Sequence, residues 1–176
     1  MKLKSLLSIF TFLFLFSCSK SEININQEQK PTIVGSWKVV ELSYSETTVS
    51  TVSSIASINK NQSIANNSSL VYTFSENPNE LTSEGFFDIV TTYDNGKSDT
   101  SVDIKGIDGI YTPTSWILEN NKIILQYEGF TQEIEIKELT ESTLKLYYIF
   151  TRETVNTLSS DTTKKTIVYN LTLERV

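Results

Sequence analysis

The sequence predicts an all-β fold: an antiparallel up-and-down β-barrel of about eight strands over residues 33–176. Three observations point there. Apolar and polar residues alternate with period two through most of the chain after residue 33. Turn-forming residues interrupt this alternation at short, regular spacing, as in small barrels and sandwiches. Val, Ile, Thr, Tyr and Phe dominate the alternating runs, and these residues suit a pleated, half-buried surface. Closing such a sheet removes its exposed edges. A two-sheet sandwich satisfies the same pattern and remains the alternative.

Residues 1–17 read as a leader. Lys2 and Lys4 give a basic start, 6–16 are apolar apart from Ser8 and Thr11, and Ser17 supplies a small residue at the end. That is the layout of a secretory signal peptide. The apolar run is short of the roughly 20 residues a membrane span needs. Leu15-Phe16-Ser17-Cys18 resembles the bacterial lipobox. The resemblance implies cleavage before Cys18, a diacylglycerol on its thiol and an acyl chain of the palmitate class on its new amine. Ser19 follows Cys18 instead of Asp, which by the same resemblance favours the outer membrane, on either the periplasmic or the cell-surface side. An ordinary signal peptide with an incidental cysteine, or an uncleaved short anchor, is the competing reading. Residues 18–32 are polar and end at Pro31-Thr32; they read as a flexible tether carrying the lipidated cysteine.

Strands are expected over 34–44, 70–75, 85–93, 99–105, 110–118, 122–128, 130–139, 143–153 and 165–175. The clearest runs place Leu70, Tyr72 and Phe74 on one face, likewise Ile134 and Ile136, then Leu144, Leu146, Tyr148 and Phe150, and last Ile167, Tyr169, Leu171 and Leu173. Asp94-Asn95-Gly96, Asn120-Asn121, Thr140-Glu141-Ser142 and Ser159-Ser160-Asp161 separate them, the first with the positive φ angles of a tight hairpin in view. Residues 47–69 lack this alternation. They are rich in Ser, Asn and Thr, and the weak helical spacing of Val52, Ile55, Ala56 and Ile58 suggests a mobile loop with a short helix, serving as a lid or as a solvated surface loop.

Composition narrows the function. The chain holds 15 basic and 21 acidic residues, a net charge of −6. Without Lys2 and Lys4 it has 13 basic residues against 21 acidic, −8 for the mature chain. No basic patch appears, so no nucleic-acid partner is expected. There is no histidine and one cysteine. This removes the usual Ser-His-Asp and Cys-His sites and most zinc and haem sites. A single cysteine also forms no intrachain disulfide. No catalytic residues, metal or cofactor are expected.

Ile33-Val34-Gly35-Ser36-Trp37-Lys38-Val39-Val40 resembles the Gly-x-Trp opening of the lipocalin family. Gly109-Ile110-Tyr111, Lys122-Ile123-Ile124-Leu125, the run from Glu138 to Leu146, and Tyr169-Asn170-Leu171-Thr172-Leu173-Glu174-Arg175 are similar to the later strands of bacterial lipocalin-like lipoproteins. In physical terms Gly35 permits a close turn into the first strand, and Trp37 can plug a barrel end. The resemblance implies that Arg175 stacks on Trp37. It departs from the classical secreted members in lacking their disulfides and a C-terminal helix.

A barrel of eight strands is just wide enough to fill itself or to hold one small ligand. Tyr72, Phe74, Trp116, Tyr148, Phe150 and Tyr169 are the inward aromatic candidates for such a ligand site. Two readings therefore compete. The barrel carries a small hydrophobic or amphipathic molecule, or it is a filled, non-catalytic scaffold for a protein partner that the sequence does not name. Asp94, Asp99, Asp103 and Asp108 cluster around one hairpin but lack a calcium-loop pattern. Glu133 and Glu135 share a strand face roughly 7 Å apart, with Lys137 on it, and nothing there would raise a carboxyl pKa.

Overall fold

The computed structural model describes residues 31–94, 96–103, 115–158 and 161–176, with backbone alone for 100–103. The leader, Cys18 and the tether up to Lys30 lie outside the described residues. So do Asn95, Asp108, Gly109, Ile110, Tyr111, Ser159 and Ser160, and the first part of the strand expected over 110–118.

Eleven strands follow one another: β1 (Gly35–Val52), β2 (Ile55–Asn66), β3 (Val71–Ser75), β4 (Glu80–Glu84), β5 (Phe87–Tyr93), β6 (Ser98–Asp103), β7 (Ser115–Glu119), β8 (Lys122–Tyr127), β9 (Phe130–Leu139), β10 (Thr143–Val155) and β11 (Thr162–Arg175). All belong to one sheet, in the order β6-β5-β2-β1-β11-β10-β9-β8-β7, with β3 and β4 branching from β1. A single sheet excludes the sandwich. Among the described residues the sheet has eleven strands, of which eight surround the base core.

The branching comes from β1 changing partner along its length. Its first residues, Gly35 to Lys38, pair with β3. From Ser43 onward it pairs with β2, while β11 accompanies it throughout. β10 likewise pairs with β9 only from Leu144 to Tyr147 but with β11 to its end. The three long strands β1, β10 and β11 therefore serve two bodies. At the base, β4-β3-β1-β11-β10-β9-β8-β7 run nearly full circle, eight strands with the core inside. Beyond it, β6-β5-β2-β1-β11-β10 flare out as a six-stranded sheet.

No ladder closes the base between β4 and β7 among the described residues, yet their ends meet. The Trp116 backbone N–H donates to the Asn79 carbonyl at 3.3 Å, and Asn79 Nδ2 donates to the Trp116 carbonyl at 3.1 Å. The indole Nε1 donates to the carbonyls of Ser75 and Glu80, at 3.1 and 3.0 Å. One aromatic side chain thus holds the seam. Trp116→Phe keeps a ring but loses this donor, and should cost about 1–2 kcal/mol. Amide exchange should accelerate selectively in β4 and β7; unchanged protection there would contradict the seam.

Residues 47–69 are a correction. They form neither a mobile loop nor a helix: β1 continues to Val52, a two-residue turn follows, and β2 returns. Ser53 and Ser54 both take positive φ, 50° and 69°, and Val52 faces Ile55 across the turn, the geometry of a tight hairpin. The expected alternation is missing because most of β2 is wet on both faces. Pairing of β2 with β1 and β5, and of the end of β1 with β11, supplies what one-sided burial does elsewhere. The Ser53 N–H also donates to Asp161 Oδ1 at 3.1 Å, tying this hairpin to the β10–β11 hairpin. β4 was also not expected from the sequence, since only Leu81 within it is buried. The Asn120-Asn121 turn is as expected, with both residues at positive φ between β7 and β8.

Candidate functional site

The base is sealed from below. Trp37 is 0% exposed, and its indole N–H donates to the Ile33 carbonyl at 2.7 Å. Arg175, its partner on β11, lays its guanidinium 4.1 Å from the ring centroid. The same guanidinium donates to three carbonyls, those of Glu141 at 2.6 Å, Val34 at 2.9 Å and Thr32. It therefore pins the chain entering β1, the chain turning into β10 and the end of β11 together. Gly35 lies under this group with φ +126°, where a Cβ would sit 2.6 Å from Arg175 Nη1. Gly35, Trp37 and Arg175 are thus one packed structure at this end of the core.

Above the seal the register stacks side chains in rungs. Residues opposite one another in antiparallel strands share a face, and successive rungs lie two residues, about 7 Å, apart. Val39, Leu173 and Leu144 form one rung, and Leu42, Leu171 and Leu146 the next; all six are buried core. A bulge between Val39 and Glu41 keeps β1 in phase with this face. The third rung is Tyr44, Tyr169 and Tyr148. Tyr148 and Tyr169 stack at 4.3 Å between centroids, and Tyr44 meets Tyr169 at 5.2 Å. The rung continues sideways into Ser63 and Thr91, whose hydroxyls bond at 2.8 Å. The fourth rung is Glu46, Ile167 and Phe150, the fifth Thr48, Lys165 and Arg152.

This face changes character upward: aliphatic, then tyrosine, then mixed, then charged. Ile167 is still buried, while Phe150 is 39% exposed. Lys165 pairs with Glu46 at 2.7 Å. The surface is apolar at its floor and polar at its rim, as small-molecule sites generally are.

The six aromatic candidates fall into two groups. Tyr148, Tyr169 and Phe150 lie on the third and fourth rungs of this face. Tyr72, Phe74 and Trp116 are buried in the base core, where Phe74 meets Trp116 edge-on at 5.7 Å. Sequence reasoning missed Tyr44, Glu46, Ile167 and Arg152. Tyr44 and Ile167 were visible as ends of alternating runs; Glu46 and Arg152 were not, since nothing local distinguishes them from solvated charges.

The carboxylate pairs are surface ion pairs. Glu133 takes Lys122 at 2.7 Å and Glu135 takes Lys137 at 2.7 Å. The hydrogen bond from Lys122 to Glu133, and then that carboxylate's charge, hold the Lys122 ammonium above the ordinary lysine pKa. Glu138 does the same for Lys145. Asp94 accepts the Lys60 backbone N–H at 2.8 Å. Among the described residues no group of three or more acidic or metal-ligating side chains is arranged to hold a metal ion.

A family model described as a lipocalin-like domain matches residues 33–146. No curated protein and no solved structure matches the chain significantly. The match takes in Gly35 and Trp37, every strand from β1 to β9 and the first residues of β10. With well over half its length matched and its strands in one antiparallel sheet, the chain belongs to the lipocalin-like domain family.

Proposed function

We propose that this protein is a lipid-anchored, non-catalytic carrier of a small hydrophobic or amphipathic molecule at the cell envelope. Cys18 would hold it to the outer membrane, residues 18–32 would tether it, and residues 33–176 would form the binding domain. Several acyl chains, each contributing about 0.8 kcal/mol per buried methylene, would make the anchor firm. The observation that carries the reading is the tyrosine rung. Tyr44, Tyr169 and Tyr148 lie side by side between a packed aliphatic floor and the part-exposed Phe150. Rings with polar tips at such a boundary suit a ligand that is apolar at one end and hydrated at the other.

The test is native mass spectrometry of the mature chain, residues 18–176, purified from its own host. A reproducible added mass, lost on denaturation and reduced by Tyr148→Ala, supports carriage. A bare mass, with no displacement of an environment-sensitive fatty-acid probe, overturns it.

One observation favours a second reading, a protein-interaction module. The two hairpin tips joined through Ser53 and Asp161 expose Val52, Ile55, Val155 and Leu158, the last at 97%. Small residues or solvated charges would suffice at inert tips. A bare mass together with a partner lost on Leu158→Ser and Ile55→Ser substitution would favour this reading.

A further inference from the structure

We propose that the ligand's polar end is a single negative charge and that Arg152 receives it, an inference that rests on the carriage reading above. Arg152 stands on the same face of β10 as Tyr148 and Phe150, four residues beyond the tyrosine rung, about 14 Å along the strand. A ligand lying along β10 with its alkyl chain over Phe150 and Tyr148 therefore brings its head to Arg152.

The charges at this height add up to one surplus cation. Arg152 and Lys165 are directly opposite across β10 and β11, a like-charge juxtaposition that is unfavourable unless something negative relieves it. Glu46 neutralises Lys165, at 2.7 Å, with only 19% of its own side chain exposed. Arg152 has no hydrogen-bond or ion-pair partner among the described residues. On the same face the neighbours of these groups on β1, β2 and β10 are uncharged, namely Thr48, Asn59, Asn61 and Thr154, while Glu153 and Lys164 oppose each other on the other face. β6, which carries Asp99 and Asp103, is five strands from β10, roughly 24 Å. A guanidinium binds a carboxylate or phosphodiester through two parallel N–H donors, and the net single charge matches a monoanionic head better than a dianion. The chain's overall negative charge gives no general attraction for anions, so selectivity must come from this local site.

The experiment is displacement of a fluorescent fatty-acid probe from the mature chain by three ligands of equal chain length: laurate, a lysophosphatidylglycerol and dodecanol. Laurate or the lysolipid should bind about tenfold more tightly than dodecanol, and whichever does so identifies the source of the anion. Arg152→Gln should remove that advantage while leaving dodecanol affinity unchanged. Glu46→Gln should free Lys165 and strengthen anion binding several-fold. High salt should weaken the anionic ligand alone. Equal affinities for all three ligands, unchanged in Arg152→Gln, would overturn the head-group assignment while carriage stands. No displacement by any of them would overturn carriage itself. Arg152 is exposed, so its variant should retain the wild-type unfolding midpoint, which separates lost binding from lost fold.

Discussion

Replacing Trp37 with alanine should destabilise the protein by about 4 kcal/mol, within the 3–5 kcal/mol typical of buried aromatic truncations. The ring is fully buried, so its removal leaves a cavity at the narrow end of the core. It also withdraws the donor to the Ile33 carbonyl and the surface on which Arg175 rests. Urea unfolding checks this: the midpoint should fall with little change in slope. Trp37→Phe should recover part of the loss, because it restores ring volume without the indole N–H. Arg175→Met should cost less than Trp37→Ala. It keeps an apolar cover over the ring while three carbonyl acceptors, the Glu141 one exposed, turn to water. A loss below 1 kcal/mol for Trp37→Ala would mean that the base does not depend on its plug.

Among the described glycines, Gly85→Ala should be the most damaging substitution, at about 3 kcal/mol. Gly85 lies between β4 and β5, where the chain leaves the base for the flare. The opposite passage, from β2 to β3, runs alongside through Ser69. Ser69 N–H donates to the Phe86 carbonyl at 2.8 Å, and Phe86 N–H donates to Ser69 Oγ at 3.1 Å. Gly85 has φ +103°, and a Cβ there would lie 2.4 Å from the Ser69 carbonyl oxygen and 2.7 Å from its carbon. The obstacle is backbone, so it cannot rotate away. Gly129 supplies the control. Its φ is +91°, but a Cβ there meets nothing within 4 Å. Gly129→Ala therefore carries conformational strain alone and should cost about 1 kcal/mol. Equal losses at the two sites, measured by thermal or urea unfolding, would show that the crossing is not tight. In Gly85→Ala the protection of β2 and β5 amides should fall before that of β8 and β9, since the crossing joins the flare to the base.

Both substitutions act where the sequence is informative in different degrees. Trp37 and Arg175 lie in motifs that could be read, because a Gly-x-Trp opening and a final alternating strand are local patterns. Gly85 reads only as the start of a strand; its closeness to Ser69 depends on two passages, 16 residues apart, lying side by side. The tyrosine rung was half legible. Tyr148 and Tyr169 stand on clean alternating runs, but their stacking depends on the register between β10 and β11, and Tyr44 joins them only because a bulge after Val39 keeps β1 in phase.

The fold class and most of the base strands are legible in the chain alone. These follow from one-sided burial, which writes a period of two into the chain wherever one face meets the core and the other meets water. Only the long-range pairing shows that most of residues 47–69 are strand, that the described residues form an eleven-stranded sheet with a flare, and that Glu46 meets the Lys165 that stands opposite Arg152. In the flare most of β2 is solvated on both faces, so alternation has no cause there. What holds those strands is backbone pairing with distant neighbours, and the chain's local pattern carries no record of which neighbour that is.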